Sequence, residues 1–200
     1  LNGGTLSNPM KFIFFKLIFV FNHFIKSFIQ ASEKYTFLRN HKHVDSSFKF
    51  NYLLSTYEIQ KPSKLIIQKG VMFGDFCNIM LWENSSLVIK EGVFMNRYCS
   101  INCLGEIVIG SNSIFGEGVK IYDHNHHYRG INNGLNIKNT GLKIGKVSIG
   151  SNCWIGSNVT ILNNVVIGDN VVIGANSLVY KSIKSGSVIV NNQDNKNLNI

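Results

Sequence analysis

The chain has 200 residues, 44% of them hydrophobic, with 20 basic against 11 acidic side chains and a formal net charge of +9. That length allows one domain, or one domain with a small appendage, and the charge favours anionic partners such as phosphates, nucleotides, acidic glycans or anionic lipid. The basic residues are spread along the chain with no interleaved aromatic motif, which excludes a nucleic-acid binder.

Residues 1–9, LNGGTLSNP, look like a tag remnant ahead of Met10 and are set apart from the fold. The next stretch, MKFIFFKLIFVFNHFIKSFIQ, predicts a helix over 10–30. Its polar residues (Lys11, Lys16, Asn22, His23, Lys26, Ser27, Gln30) fall within about 160° of a helical wheel. Phe12, Phe15 and Phe19 intrude on that arc. Lys16, Asn22 and His23 interrupt the apolar run, so a membrane span is not expected. Two uses remain: a helix packed on protein, or an interfacial helix with lysines toward headgroups and phenylalanines in the acyl boundary. Residues 31–64 are mixed and aromatic-rich, with Lys61-Pro62-Ser63 as a turn.

From residue 65 a period of six takes over. Residues 147–176 read VSIGSN CWIGSN VTILNN VVIGDN VVIGAN. An α-helix cannot use this spacing, because successive isoleucines would point about 240° apart. Short strands, each ended by a turn, can. Such a period marks a parallel β-helix. The isoleucine positions recur in threes: Ile67, Phe73, Ile79; Ile89, Met95, Ile101; Ile109, Phe115, Ile121; Ile149, Ile155, Ile161; Ile167, Ile173, Val179. Three faces per coil give coils at 65–82, 87–104, 107–124, 147–164 and 165–182. The block-opening residues, Cys77, Cys99 and Cys153 among them, fit a second, tighter inward position. The cysteines therefore read as buried hydrophobes in a reducing compartment.

Phase is kept across a long insertion, Asn125–Lys146. The preceding YDHNHH places His124, His126 and His127 within four residues beside Asp123. Loops projecting from a rigid scaffold concentrate function, and His exchanges a proton near neutral pH. The tail after Asn191 is Asn-rich and expected to fray.

The hexapeptide coils, this loop and the stretch KVSIGSNCWIGSNVTILNNVVIGDNVVIGANSLVYKSI resemble the left-handed β-helix acyltransferases, in particular their sugar and polysaccharide O-acetyltransferase branch. The resemblance covers residues 65 to 182. It implies a left-handed coil, a homotrimer and acetyl-CoA as co-substrate, with no metal. It also implies His124 as general base and Asn96 (in FMNRYCSIN) as an acceptor-orienting residue. Trp154, Ser157 and Ala175, with Tyr180, stand at coenzyme-binding positions. Asp123 and His126 are expected at the acceptor, His126 as reserve base, with Asp123 not expected to touch the His124 ring. The chain departs from the family after the last coil, where IKSGSVIVNNQDN lacks its prolines.

The expected organisation is thus a helical and irregular segment at 10–64, an all-β solenoid of about five coils at 65–183 with a loop at 122–146, and a tail at 184–200. The expected enzyme is cytoplasmic, with peripheral membrane contact through 10–30, and acetylates a hydroxyl of a surface polysaccharide or its precursor. Alternatives are N-acetylation of an amino or nucleotide sugar, or a metal enzyme like the γ-type carbonic anhydrases, which share the coil.

Overall fold

Strands of two to four residues pass in turn through three parallel sheets, in a computed structural model that describes residues 8–127 and 141–190. The first sheet stacks Lys64–Ile67, Ser86–Ile89, Glu106–Ile109, Lys146–Ile149 and Val165–Ile167. The second stacks Met72–Phe73, Phe94–Met95, Ile114–Phe115, Trp154–Ile155, Val172–Ile173 and Val188–Ile189. The third stacks Thr56–Ile59, Asn78–Leu81, Ser100–Cys103, Lys120–Tyr122, Thr160–Ile161 and Leu178–Val179. Partners across the insertion keep the phase of the sixes: Ile109 pairs with Ile149, Phe115 with Ile155 and Ile121 with Ile161. The molecule is a β-solenoid of five full coils, and its hexapeptide repeat fits the left-handed sense.

The interior follows the period. Ile89, Met95, Ile101, Ile109, Phe115, Ile121, Ile149, Ile155, Ile161, Ile167 and Ile173 are each at most 1% exposed. Block openers are buried beside them, and all four cysteines are free thiols. Cys77, Cys99 and Cys153 direct their Sγ–H at the carbonyls of Asn96, Gly116 and Gly168, each at 3.2 Å. A small residue with a weak donor thus serves a corner carbonyl that the ladder leaves free. The asparagines closing the blocks take the left-handed conformation: Asn152, Asn158, Asn164, Asn170 and Asn176 have φ between 56° and 61°. Asn accepts this geometry because its short side chain bonds locally. Gly156 answers a different need, since a Cβ there would lie 2.5 Å from the Ala175 amide nitrogen.

Stacking begins earlier and ends later than the sixes indicate. Val44 and Lys49 bridge to Ile67 and Met72, and with Thr56–Ile59 they form a further coil at the N-terminal end. Ile183 bridges to Ile167, and Val188–Ile189 pairs with Val172–Ile173. The added N-terminal coil carries Phe48, Phe50 and Tyr52 inside rather than spaced isoleucines. Its larger side chains close the end of the core, which no preceding coil covers.

A single 33-residue helix, Asn8–Asn40, precedes the coils and extends well past the expected 10–30. Its last turns dock: Gln30 Nε2 donates to the Phe50 carbonyl at 2.6 Å, and Phe37 is buried against Phe48, Tyr52 and Tyr57. From Phe12 to Ile29 the large apolar side chains are exposed, so this part does not pack on its own solenoid. By length and composition the helix is apolar enough to cross a membrane, against the expectation drawn from Lys16, Asn22 and His23.

Candidate active site

The third-sheet strand Lys120–Tyr122 ends beside a hairpin in which His124–His126 pairs antiparallel with Leu142–Ile144. The loop between lies outside the described residues. Alternation through Ile121 continues to Asp123, which occupies the inward position and has no exposed surface. A buried carboxylate needs donors, and the corner of the preceding coil supplies them. The Leu104 amide donates at 2.9 Å and the Gly105 amide at 2.7 Å. His124 then points outward, half-buried, with Nδ1 3.3 Å from Asp123 Oδ1 and its ring edge-on to Tyr122.

Two expectations for Asp123 are thereby corrected. It does touch the His124 ring, and its burial keeps it from a bound acceptor. A proton on Nδ1 facing this carboxylate would leave Nε2 as the acceptor nitrogen, the form a general base requires. His126 is exposed on the same hairpin strand. Burial, with the Asp123 charge next to it, pushes the Cys103 thiol up, away from the thiolate a nucleophile needs. Among the described residues no group of three His, Cys, Asp or Glu side chains gathers as metal ligands.

The other expected site residues fall on two corners of the coil. Asn96 follows Phe94–Met95, at the corner between the second and third sheets. Ser157 and Ala175 take the matching corner in later coils, and exposed Trp154 lies on the second sheet just before it. Tyr180 follows Leu178–Val179 and shares the corner between the third and first sheets with His124, two coils on. One chain therefore does not bring His124 to Asn96, nor Tyr180 to Ser157. In the later coils the position of Asn96 is taken by Gly116, Gly156 and Gly174, so that row of the corner carries no side chain beyond Asn96.

One feature of this corner is absent from the sequence expectations. Phe76 and Tyr98 adopt φ of 60° and 59°, where later coils place Gly118 and Asn158. Bulky residues seldom take this conformation. Their rings stack at 5.0 Å and 6°, beside an Arg97–Asp75 ion pair at 3.8 Å. Aromatic residues at turn positions spaced by one coil were the available signal.

Residues 146–181 match the family model described as bacterial transferase hexapeptide (six repeats). No curated protein matches the sequence. Among solved structures the chain is similar to a hexapeptide-repeat acetyltransferase from Vibrio cholerae O1 biovar eltor, complexed with acetyl coenzyme A. There the identity is 19% over 67% of this chain and 62% of that one, with a TM-score of 0.44. A maltose O-acetyltransferase from Clostridium difficile 630 shares 28% identity over 71% of this chain and 64% of its own, at a TM-score of 0.45. A mutant of AntD, an N-acyltransferase from Bacillus cereus, in complex with dTDP and coenzyme A, shares 22% over 74% and 80%, at 0.50. The chain thus spans less than two thirds of the length of the Vibrio enzyme.

Proposed function

We propose that this chain, a hexapeptide-repeat protein by its motif and a β-solenoid by its fold, is an acetyl-CoA-dependent O-acetyltransferase acting on a sugar hydroxyl. The observation that carries the reading is the His124 ring, set at the root of the projecting hairpin with Nδ1 against a fully buried carboxylate. A sugar hydroxyl ionises far above neutral pH, so its attack on a thioester needs a base in hydrogen-bond reach. His124 Nε2 takes the hydroxyl proton as the oxygen bonds the acetyl carbon. A backbone amide at the coil edge holds the oxyanion, and coenzyme A leaves as the thiol once it regains a proton. No acyl-enzyme is needed. Asp123 positions the base, Asn96 orients the acceptor, and the low corner at Ser157 and Ala175 receives the pantetheine arm.

The assembly follows from the two corners. Setting the His124 corner of one copy against the Asn96 corner of the next completes a site that one chain leaves open. Such head-to-tail contacts close into a ring when the rotation closes, and the resemblance to the β-helix acyltransferases implies a ring of three. The second sheet presents a fitting surface, its outward row containing exposed Phe94, Ile114, Trp154 and Val188. The acceptor is a surface-polysaccharide precursor at the cytoplasmic membrane face, reached because the Phe12–Ile29 stretch of the helix contacts the bilayer.

Acetyl transfer from acetyl-CoA to a panel of sugars tests the chemistry. His124→Ala is expected to lower kcat about 10²–10⁴-fold, and Asn96→Ala less. Wild-type turnover in His124→Ala with loss in His126→Ala would move the base to His126. A faster reaction with amino sugars would turn the reading to N-acetylation. Mixing denatured His124→Ala and Asn96→Ala proteins and refolding them together is expected to restore part of the activity, because some interfaces then pair two intact corners. No recovery, or a monomer in equilibrium sedimentation, would place the site within one chain.

A further inference from the structure

Where the helix meets the N-terminal coil there is a cavity of about 630 Å³. Its helix wall carries His23, Lys26 and Lys34, and Lys49 faces it from the solenoid. Its apolar surface comes from Phe50, Leu53 and Leu54, and no acidic side chain lines it. Among the described residues none of the three lysines is within ion-pair distance of a carboxylate. The acid that feels one of them, Asp45, is already held below the usual carboxylate range, first by hydrogen bonds from the Ser47 hydroxyl and amide and only last by Lys34.

At 100° per residue, Lys16, His23, Ser27, Gln30 and Lys34 form one stripe along the helix. Gln30 turns that stripe toward the solenoid. The apolar residues exposed between Phe12 and Ile29 cover the rest of the helix and reach their C-terminal limit at the cavity. The cavity thus combines cations, an apolar wall and a position where a lipid-facing helix enters protein. A free anion would leave the apolar wall unused, and a neutral lipid would leave the lysines unpaired.

We propose that this cavity binds a phosphorylated lipid, with the phosphate among Lys26, Lys34 and Lys49 and the first part of the hydrocarbon chain along Phe50, Leu53 and Leu54. Its mouth leads to the acceptor corner: Asn51 Nδ2 donates to Asp75 Oδ1 at 2.7 Å, and Asp75 pairs with Arg97, the neighbour of Asn96. Asn96 stands two coils above, ~10 Å along the axis at one strand spacing per coil. A glycan carried on the bound phosphate extends along that corner. The inference rests on the proposed acetyl transfer only for what the lipid carries, and not for the binding itself.

The test measures binding of the full chain to phosphatidylcholine vesicles with and without phosphatidic acid. Wild type is expected to bind vesicles containing phosphatidic acid far more tightly than phosphatidylcholine alone, which the apolar stretch of the helix also contacts. A Lys26→Gln, Lys34→Gln, Lys49→Gln triple variant is expected to bind about 100-fold more weakly, ~5-fold for each lysine. A control triple at lysines on or beside the helix but outside the cavity (Lys16→Gln, Lys42→Gln, Lys61→Gln) is expected to lose less than about tenfold. Equal losses in the two triples would mean general attraction to charge and overturn the site. So would the absence of a wild-type preference for phosphatidic acid. Displacement by millimolar inorganic phosphate would make it a free-anion site and overturn the lipid assignment. Acetyl transfer to a soluble sugar, measured on the same variants, is expected to be unchanged, so loss of lipid binding is distinguishable from failure of the catalytic reading.

Discussion

The helix between Phe12 and Ile29 and the solenoid between Leu65 and Val179 are both rich in large apolar side chains, but they dispose of them in opposite ways. In the coils, period six sends one branched residue per strand to a shared interior. Each coil covers its neighbour, and the apolar set is buried by the chain itself. In the helix, phenylalanines fall on nearly every side, and Phe19 stays 73% exposed. The boundary lies within one helix, because Phe37, five turns further on, is 1% exposed. Equal hydrophobicity therefore has two destinations, and periodicity decides between them. A repeat that matches its own geometry needs no partner, and an apolar surface without one needs a bilayer or another copy.

Substitutions can break this contrast, beginning with the solenoid. Ile155→Asp buries a carboxylate with no partner in the fourth coil, at a cost of several kcal/mol. Thermal melting is expected to show loss of cooperative folding, and a native-like transition would mean that the interior opens to water. Phe37→Ala should cost ~3–5 kcal/mol through the cavity left among Phe48, Tyr52 and Tyr57. Phe19→Ala, the same substitution eighteen residues earlier, should change stability by less than ~0.5 kcal/mol, as surface changes do. Denaturant midpoints compare the two directly, and equal effects would show that the exposed part of the helix packs in solution. At Tyr98 two effects oppose each other. Asn there relieves left-handed strain of order 1 kcal/mol and gives up a stack with Phe76 of about the same size. Tyr98→Asn should therefore stay within ~1 kcal/mol of wild type.

Much of the solenoid could be read from the sequence because side-chain period and coil geometry are the same fact. The inward isoleucines, the buried cysteines and the asparagine corners all follow from it. The N-terminal coil was hidden because Phe48, Phe50 and Tyr52 obey no six-residue spacing, and a terminal coil is filled by size rather than by pattern. Asp123 was misjudged for a narrower reason. Adjacency to His124 suggested a second loop residue, but strand alternation from Ile121 already placed it inward under Cys103. The donors that make its burial tolerable, the amides of Leu104 and Gly105, belong to another coil and leave no mark in local sequence. The separation of His124 from Asn96 was equally hidden, since assigning residues to corners needs the strand ends. The corners do line up once the three sheets are in place, and that arrangement, rather than any single residue, supports assembly as the route to a complete site.

The insertion between the third and fourth coils has an entropic side. Contacts between successive coils elsewhere join residues 16 to 23 apart, as in Val172 to Val188 or Val44 to Ile67, while Cys153 reaches Ser113 across 40. Closing a flexible loop twice as long costs only ~0.6 kcal/mol more, because the penalty grows with the logarithm of length. The ladder on either side repays that amount with about one backbone hydrogen bond. Doubling the insertion again would cost about the same small increment. The stack can thus carry, at this one step, a segment of widely varying length and composition without a noticeable loss of stability.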